Sequence, residues 1–256
     1  MPERTATAGR ATALIHPLII ERYARCRRKD YYQSEYFFSL LGDVKGKNIL
    51  DIGCADAGGN AILLALRGAL VTGIDISEEC IKEARIRAAD HSVDGQTEFV
   101  CSPVELLRTT RTFDIVIGQS IRRHVLSDLD ATFSAICKMT TPDALCVLVE
   151  PVNLSPAWRR LRLMLPIPTR GTADERPLDT ADLKIIQRYL PDFRMRLFSI
   201  LIRLSRFFLR GPYELAPWMV RLACDAAVRM DYVAVRHLGL QHLASCAVIA
   251  GHLSAH

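Results

Sequence analysis

The stretch 48–76, NILDIGCADAGGNAILLALRGALVTGIDI, decides how this chain folds. Residues 48–52 form a short apolar run of strand type, 58–67 repeat their apolar positions at helical spacing and stop at Gly68, and 69–76 return to strand type. Ser77, followed by Glu78 and Glu79, supplies an N-cap and an acidic first turn for a helix reaching about Asp90. A strand-helix-strand-helix order brings the strands together in parallel, because each connection must cross over the sheet.

The alternation continues outward from this unit. Strands are predicted at 98–101, 113–118 and 144–150, separated by helices near 104–107 and 128–139. On the N-terminal side, apolar positions between 14 and 41 have helical spacing and end at Gly42, giving one or two leading helices. Beyond Pro151 the pattern loosens at Pro156, Pro166 and Pro168. A helix at 180–190, a strand at 193–200, helices over most of 203–236 and a closing strand at 244–252 complete the chain. The expected class is a doubly wound α/β sheet, with cap insertions at about 151–190 and 203–240 near its end.

Composition agrees with one large domain of this kind. Of 256 residues, 50% are apolar and 24% charged, with 14 Gly and 12 Pro, which excludes a disordered chain, a collagen and a disulfide-stapled miniprotein. The eight cysteines include no C-x-x-C pair and most lie in apolar runs, so a reduced, cytoplasmic chain is expected. The opening residues lack the apolar core and cleavage site of an export signal. The most apolar long segment, 197–209, is interrupted by Arg203 and Arg206, so no transmembrane helix is expected.

In an open α/β sheet, ligands bind beyond the carboxyl ends of the strands, where the first strand-helix turn lies. Here that turn is Asp51-Ile-Gly-Cys-Ala-Asp-Ala-Gly-Gly-Asn60. It lacks the G-x-G-x-x-G spacing that lets a pyrophosphate approach a helix N-terminus, and Asp51 would repel such a group. Asp75 ends the second strand 22 residues after Gly53, where an acid reaches the two hydroxyls of an adenosine ribose. An adenosine with a cationic, phosphate-free tail is S-adenosylmethionine; another nucleotide, or two acids that merely end strands, are the alternatives.

ILDIGCADAGGN, VTGIDISEECIKEAR, EFVCSPVELL, FDIVIGQSIRRHV and VLVEPVN, in this order and spacing, resemble the successive motifs of class I S-adenosylmethionine-dependent methyltransferases. The resemblance covers about residues 45–155. ERYARCRRKDYYQSEYFF and TRGTADERPLD also resemble small-molecule members of the natural-product type. It implies a Rossmann-like sheet of seven mostly parallel strands, a helical lid at 1–44 and a methyltransferase domain at 45–256. It also implies that Gly53, Cys54 and Ala55 approach the methionine part, Asp51 lies near its ammonium, Asp75 binds ribose and Ile76 packs on adenine. Ser102, beside Pro103, stands where the family has an acid that accepts from the adenine amino group. Ala55 and Ala57 stand where glycines are usual, so Gly58 and Gly59 are expected to take over some of the tight backbone. Cys54 is assigned no reactivity. In similar enzymes the leading helices, here with Arg25, Arg27, Arg28, Tyr31 and Tyr32, fold over the cofactor, and a tyrosine face such as that of Tyr32 favours a sulfonium; the plain alternative is an amphipathic helix with a wet face.

Methyl transfer is an in-line displacement in which positioning supplies most of the acceleration, and a base matters only when the acceptor keeps its proton. Gln119, Arg122 and His124 follow the fourth strand, where the methyl group should project. His124 matches a family histidine and ordinarily titrates near about 6.5; it reads either as a base or as a structural histidine. Arg122 reads as a contact to an acidic acceptor or a salt bridge. Glu150 reads as a proton acceptor or as a partner of the cap backbone. Trp158 and other large apolar residues beyond 151 read as an acceptor pocket or as cap core. No metal site is expected.

The implied function is transfer of a methyl group to an oxygen or carbon of a small, largely apolar metabolite in secondary metabolism, oxygen slightly ahead. A cyclisation guided by the same cofactor, or a silent binding protein, are the rivals. Residues 151–256 carry 15 basic and 8 acidic groups without a run of five like charges. That leaves peripheral membrane contact through Arg203, Arg206 and Arg210 open, as it does a homo-oligomer, while no nucleic-acid motif is present.

Overall fold

A computed structural model of the chain describes residues 14–24, 32–121, 129–155, 177–209 and 211–254. Two leading helices, α1 (Pro17–Ala24) and α2 (Gln33–Leu40), precede the sheet. The alternating unit follows as β1 (Asn48–Ile52), α3 (Ala55–Ala65), β2 (Leu70–Asp75) and α4 (Glu78–Asp90). Then come β3 (Thr97–Cys101), β4 (Phe113–Gln119), α5 (Leu129–Cys137) and β5 (Thr140–Pro151). Next are α6 (Thr180–Tyr189), β6 (Arg194–Phe198), α7 (Trp218–His237) and β7 (Cys246–His252).

The seven strands form one sheet in the order β3-β2-β1-β4-β5-β7-β6. β1 to β5 pair in parallel; β7 runs antiparallel between β5 and β6, so β6 points the same way as the first five. The strand order reverses at β1, and the crevice between β1 and β4 opens there. The period-2 pleat splits each central strand between two cores. Ile49, Ile117 and Val147 face one core with Phe37, Ile62, Ile81 and Phe99 of the first helices and β3. Leu50, Val116 and Leu148 face the other with Phe133, Ile136 and Ile186 of α5 and α6.

Local chemistry sets the ends of several elements. The Ser77 hydroxyl accepts from the Cys80 N–H at 3.3 Å and caps α4. Asp179 and Asp182 form a reciprocal capping box at the start of α6. This last helix, which the sequence assigns to a cap insertion, lies beside α5, with Tyr189 stacked on Phe133 at 5.3 Å.

Three expected elements differ. The helix near 104–107 is a single 3-10 turn, Val104–Leu106, because Pro103 fixes its start and too few residues remain before β4 for an α-helix to nucleate. The helical stretch from 203 splits into two 3-10 segments, Ile202–Phe207 and Tyr213–Leu215, before α7 begins at Trp218. Pro212 and Pro217 supply those breaks, each standing at the N-cap of the segment that follows it. Finally, α3 starts at Ala55, ahead of the expected Gly58.

Candidate functional site

The tips of β1 and β2 adjoin. Asp51 is in register with Gly73, two residues before Asp75, and all three positions face the same side of the sheet. The N–H groups of Gly53 and Cys54 donate to the Ile74 carbonyl at 2.8 and 3.0 Å, tying the first turn to the end of β2. Gly53 has φ +72° and Gly58 φ +69°, so the left-handed backbone falls on glycines and on neither Ala55 nor Ala57. At Gly58 a Cβ would lie 2.9 Å from the Phe99 ring and 3.1 Å from Ala84. Gly58 thus takes over the tight backbone as expected; Gly59 does not adopt a positive φ.

Both acids are buried: Asp51 is 1% exposed and Asp75 3%. The Asp75 Oδ1 accepts the Ser77 N–H at 2.9 Å, whereas Asp51 Oδ2 has no hydrogen-bond partner among the described residues. Burial, and then the charge of Asp75, push the Asp51 carboxyl from 3.8 up to about 7. Burial and the same two carboxylates push the Cys54 thiol up strongly, which favours its protonated form. A positive charge placed at this point would reverse the electrostatic penalty.

The rest of the crevice is assembled along the same edge. Ile76 projects from the end of β2 and is 53% exposed, a large apolar side chain open to a planar ligand. Ser102 follows β3, its N–H bonded to the Asp75 carbonyl at 3.0 Å. Its hydroxyl donates to the Pro103 carbonyl at 2.9 Å and so keeps its lone pairs for an incoming donor. Gln119, at the end of β4, lines a cavity of about 80 Å³ with Asn60, Val149 and the α2 residues Gln33 and Ser34.

Glu150 is 1% exposed and its Oε1 accepts the Ile121 N–H at 2.7 Å. This bond ties Glu150 to the backbone of the chain leaving β4. Arg122, His124 and Trp158 lie outside the described residues, as do Arg25, Arg27, Arg28 and Tyr31.

Tyr32 lies on the wall of a second and far larger cavity of about 800 Å³. This space is enclosed by α1, α2, the end of β6, the 3-10 segments and α7, and it shares Tyr23, Gln33 and Ser34 with the small cavity at Gln119. Its N-terminal wall is held by Arg22, whose guanidinium bonds Glu35 at 2.8 Å and Glu214 at 2.5 Å. The same guanidinium lies 4.8 Å from the Tyr32 ring centroid and 4.7 Å from that of Tyr213. Both tyrosine hydroxyls donate to Asp225. Asp231 closes the far side by accepting the N–H groups of Ile200, Leu201 and Ile202 at 2.6 to 3.0 Å. None of Arg22, Asp225 or Asp231 stands out in the sequence, because their partners lie on distant segments and follow no period.

A family described as a methyltransferase domain matches residues 43–174. The ubiquinone biosynthesis O-methyltransferase of Psychrobacter cryohalolentis is 31% identical over 147 residues, which are 56% of this chain and 55% of that protein. The chain spans about half the length of the curated relatives it matches. Among solved structures, phosphoethanolamine N-methyltransferase 2 of Haemonchus contortus has a TM-score of 0.58 at 18% identity, over 92% of this chain and 57% of that one. The N-methyltransferase NodS of Bradyrhizobium japonicum WM9 has a TM-score of 0.52 at 14% identity, over 89% and 99%. These two likenesses show the fold. A family match over half the chain, on a sheet whose first two strand tips carry Asp51 and Asp75, closes the assignment: the chain belongs to the class I S-adenosylmethionine-dependent methyltransferases.

Proposed function

We propose that this chain transfers a methyl group to an oxygen or carbon of a small, largely apolar molecule, in secondary metabolism and in the cytoplasm. The observation that carries the reading is the buried Asp51, with one oxygen lacking a hydrogen-bond partner among the described residues, at the strand tip beside Asp75. These residues fit S-adenosylmethionine: Asp51 faces its ammonium, the backbone of Gly53, Cys54 and Ala55 follows its methionine part, and Asp75 takes the ribose hydroxyls. Ile76 packs on adenine, with Ser102 and Pro103 at its edge. Gln119 stands toward the methionine end, and Tyr32 shields the site from the side of the lid. The bound cofactor supplies an electrophilic methyl group on a sulfonium.

The large cavity supports an apolar acceptor. Its volume suits a molecule of two or three rings, and Ile19, Tyr36, Phe198, Ile202 and Val228 contribute to its lining. The names of the curated relatives, which place them in ubiquinone biosynthesis as O-methyltransferases, support an oxygen acceptor on a quinone-like ring. His124 is the proposed base, and Arg122 and Trp158 are proposed contacts to the acceptor. Glu150 acts on Arg122 and His124 as a positioning residue, by fixing the Ile121 N–H that precedes them in the chain.

The test is incubation of the chain with S-adenosylmethionine and a panel of phenols, catechols and hydroquinones. S-adenosylhomocysteine should form with a product heavier by one methylene. In His124→Ala, turnover should fall and lose its dependence on pH between about 6 and 8; unchanged turnover across that range removes His124 from the mechanism. Absence of any binding heat with S-adenosylmethionine at millimolar concentration refutes the whole reading.

A further inference from the structure

We propose that the outward face of α7, with the 3-10 segments before it, binds an anionic lipid surface and lies on the bilayer without crossing it. α7 buries Cys224, Val228 and Asp231 on its inner side, so its outer side should be polar. Instead Trp218, Leu222, Ala226, Met230 and Val233, spaced four, four, four and three residues apart, form an exposed stripe there. Trp218 is 66% exposed and Leu222 60%. The 3-10 segment Ile202–Phe207 packs against α7 and adds exposed Leu204 and Phe207, with Phe208 behind them. Ten of the seventeen large apolar side chains exposed among the described residues fall between 204 and 238, a concentration that marks a contact surface.

Charge selects the occupant. Residues 201–237 carry six arginines and three acids. The acids are engaged at the large cavity: Glu214 bonds Arg22, Asp225 accepts from Tyr32 and Tyr213, and Asp231 holds three backbone N–H groups. Arg229 and Arg236 interleave with the apolar stripe at spacings of three and four, Arg221 borders it, and all three are exposed. Arginines threaded through an apolar stripe suit anionic headgroups above acyl chains, because the guanidinium ends stay at headgroup level while the apolar side chains enter the boundary. A second copy would instead set like charges against each other about a two-fold axis. No described helix is long and apolar enough to cross a membrane, and the charges of α7 hold it at the surface. The inner side of the same segments lines the large cavity, so docking brings the wall of that cavity against lipid. Lipid binding is a property of this surface alone and is tested apart from methyl transfer.

The experiment is co-sedimentation of the full chain with vesicles of phosphatidylcholine alone and of equal parts phosphatidylcholine and phosphatidylglycerol. The chain should bind the mixed vesicles ~10-fold or more tightly than the neutral ones, and salt at about 0.5 M should weaken that binding. Arg221→Gln with Arg229→Gln should loosen it ~5-fold for each charge removed. Trp218→Ser with Leu222→Ser should loosen it by ~10-fold or more. All four positions are exposed, so both pairs should keep the urea midpoint of the parent, and the arginine pair carries the test if the serine pair does not fold. Insertion has its own readout. The chain has two tryptophans, so in Trp158→Phe the fluorescence of Trp218 alone should be quenched by brominated acyl chains. Absence of vesicle binding, equal binding to both compositions, or binding that survives in both folded variants overturns the inference, as does bound protein whose Trp218 stays unquenched. Self-association without lipid that the serine pair abolishes also overturns it, since the occupant is then a second copy.

Discussion

Replacing Asp51 by Asn should move stability and binding in opposite directions. Burial and the neighbouring Asp75 push the Asp51 carboxyl from 3.8 up to about 7. Between those values the folded chain keeps a proton that the unfolded chain has released, so the free energy of unfolding falls as pH rises. The loss is complete above the folded value. Three pH units at about 1.4 kcal/mol each make ionised Asp51 a cost of roughly 4 kcal/mol in the ligand-free chain at pH 8. Asn removes that cost but buries amide hydrogens at a site with few acceptors, a penalty of about 1–3 kcal/mol. Urea titrations should therefore find Asp51→Asn more stable than the wild type by about 1–3 kcal/mol at pH 8 and less stable at pH 4. S-adenosylhomocysteine should raise the stability of the wild type at pH 8 and leave the variant nearly unmoved. A variant with the same pH dependence as the wild type, or with undiminished ligand stabilisation, would refute the argument.

The other expectations concern the frame around this site. Gly58→Ala places a Cβ at φ +69° and 2.9 Å from the buried Phe99 ring. It should cost about 2 kcal/mol or more in urea unfolding; a loss below about 0.5 kcal/mol would mean that the turn relaxes freely. Arg22→Met strips the shared cation from Glu35 and Glu214, which are 6% and 12% exposed. It should destabilise by roughly 3–5 kcal/mol in urea unfolding at pH 7; a loss of about 1 kcal/mol or less would mean that the two carboxylates find other partners without the guanidinium. Glu150→Gln keeps an acceptor for the Ile121 N–H, so turnover should fall by about tenfold or less with an unchanged pH profile. Disappearance of the acidic limb, along which the rate rises as a base sheds its proton, would make Glu150 a proton acceptor after all.

The sheet was legible because its signals are local. Each of the seven strands falls within four residues of the run expected for it, since apolar periodicity and the Gly and Pro that bound it act over a few neighbours. The crevice was legible for the same reason: Asp51, Asp75 and Ser102 end consecutive strands, so their meeting at one edge follows once the strands are parallel. The large cavity was not. Arg22 and Glu214 stand 192 residues apart, and Tyr213 bonds an acid on α7 whose polar neighbours look like those of any wet helix. The expected helix at 104–107 erred differently: apolar spacing was right, but four residues behind a proline cannot repay helix nucleation.

The wall of the large cavity has a consequence for its history and for redesign. The proposed cofactor crevice is contributed by one stretch, from Asp51 to Glu150, whereas the large cavity needs positions 19–23, 32–36 and 195–241 to meet. On a growing chain the crevice can close long before the chamber exists. A graft of 195–241 from a relative would import Tyr213, Glu214 and Asp225 without the Arg22 and Tyr32 that hold them. On the proposed function, selectivity is a property of two distant segments that must be exchanged as a pair, and libraries that vary only one of them should return unfolded lids more often than new preferences.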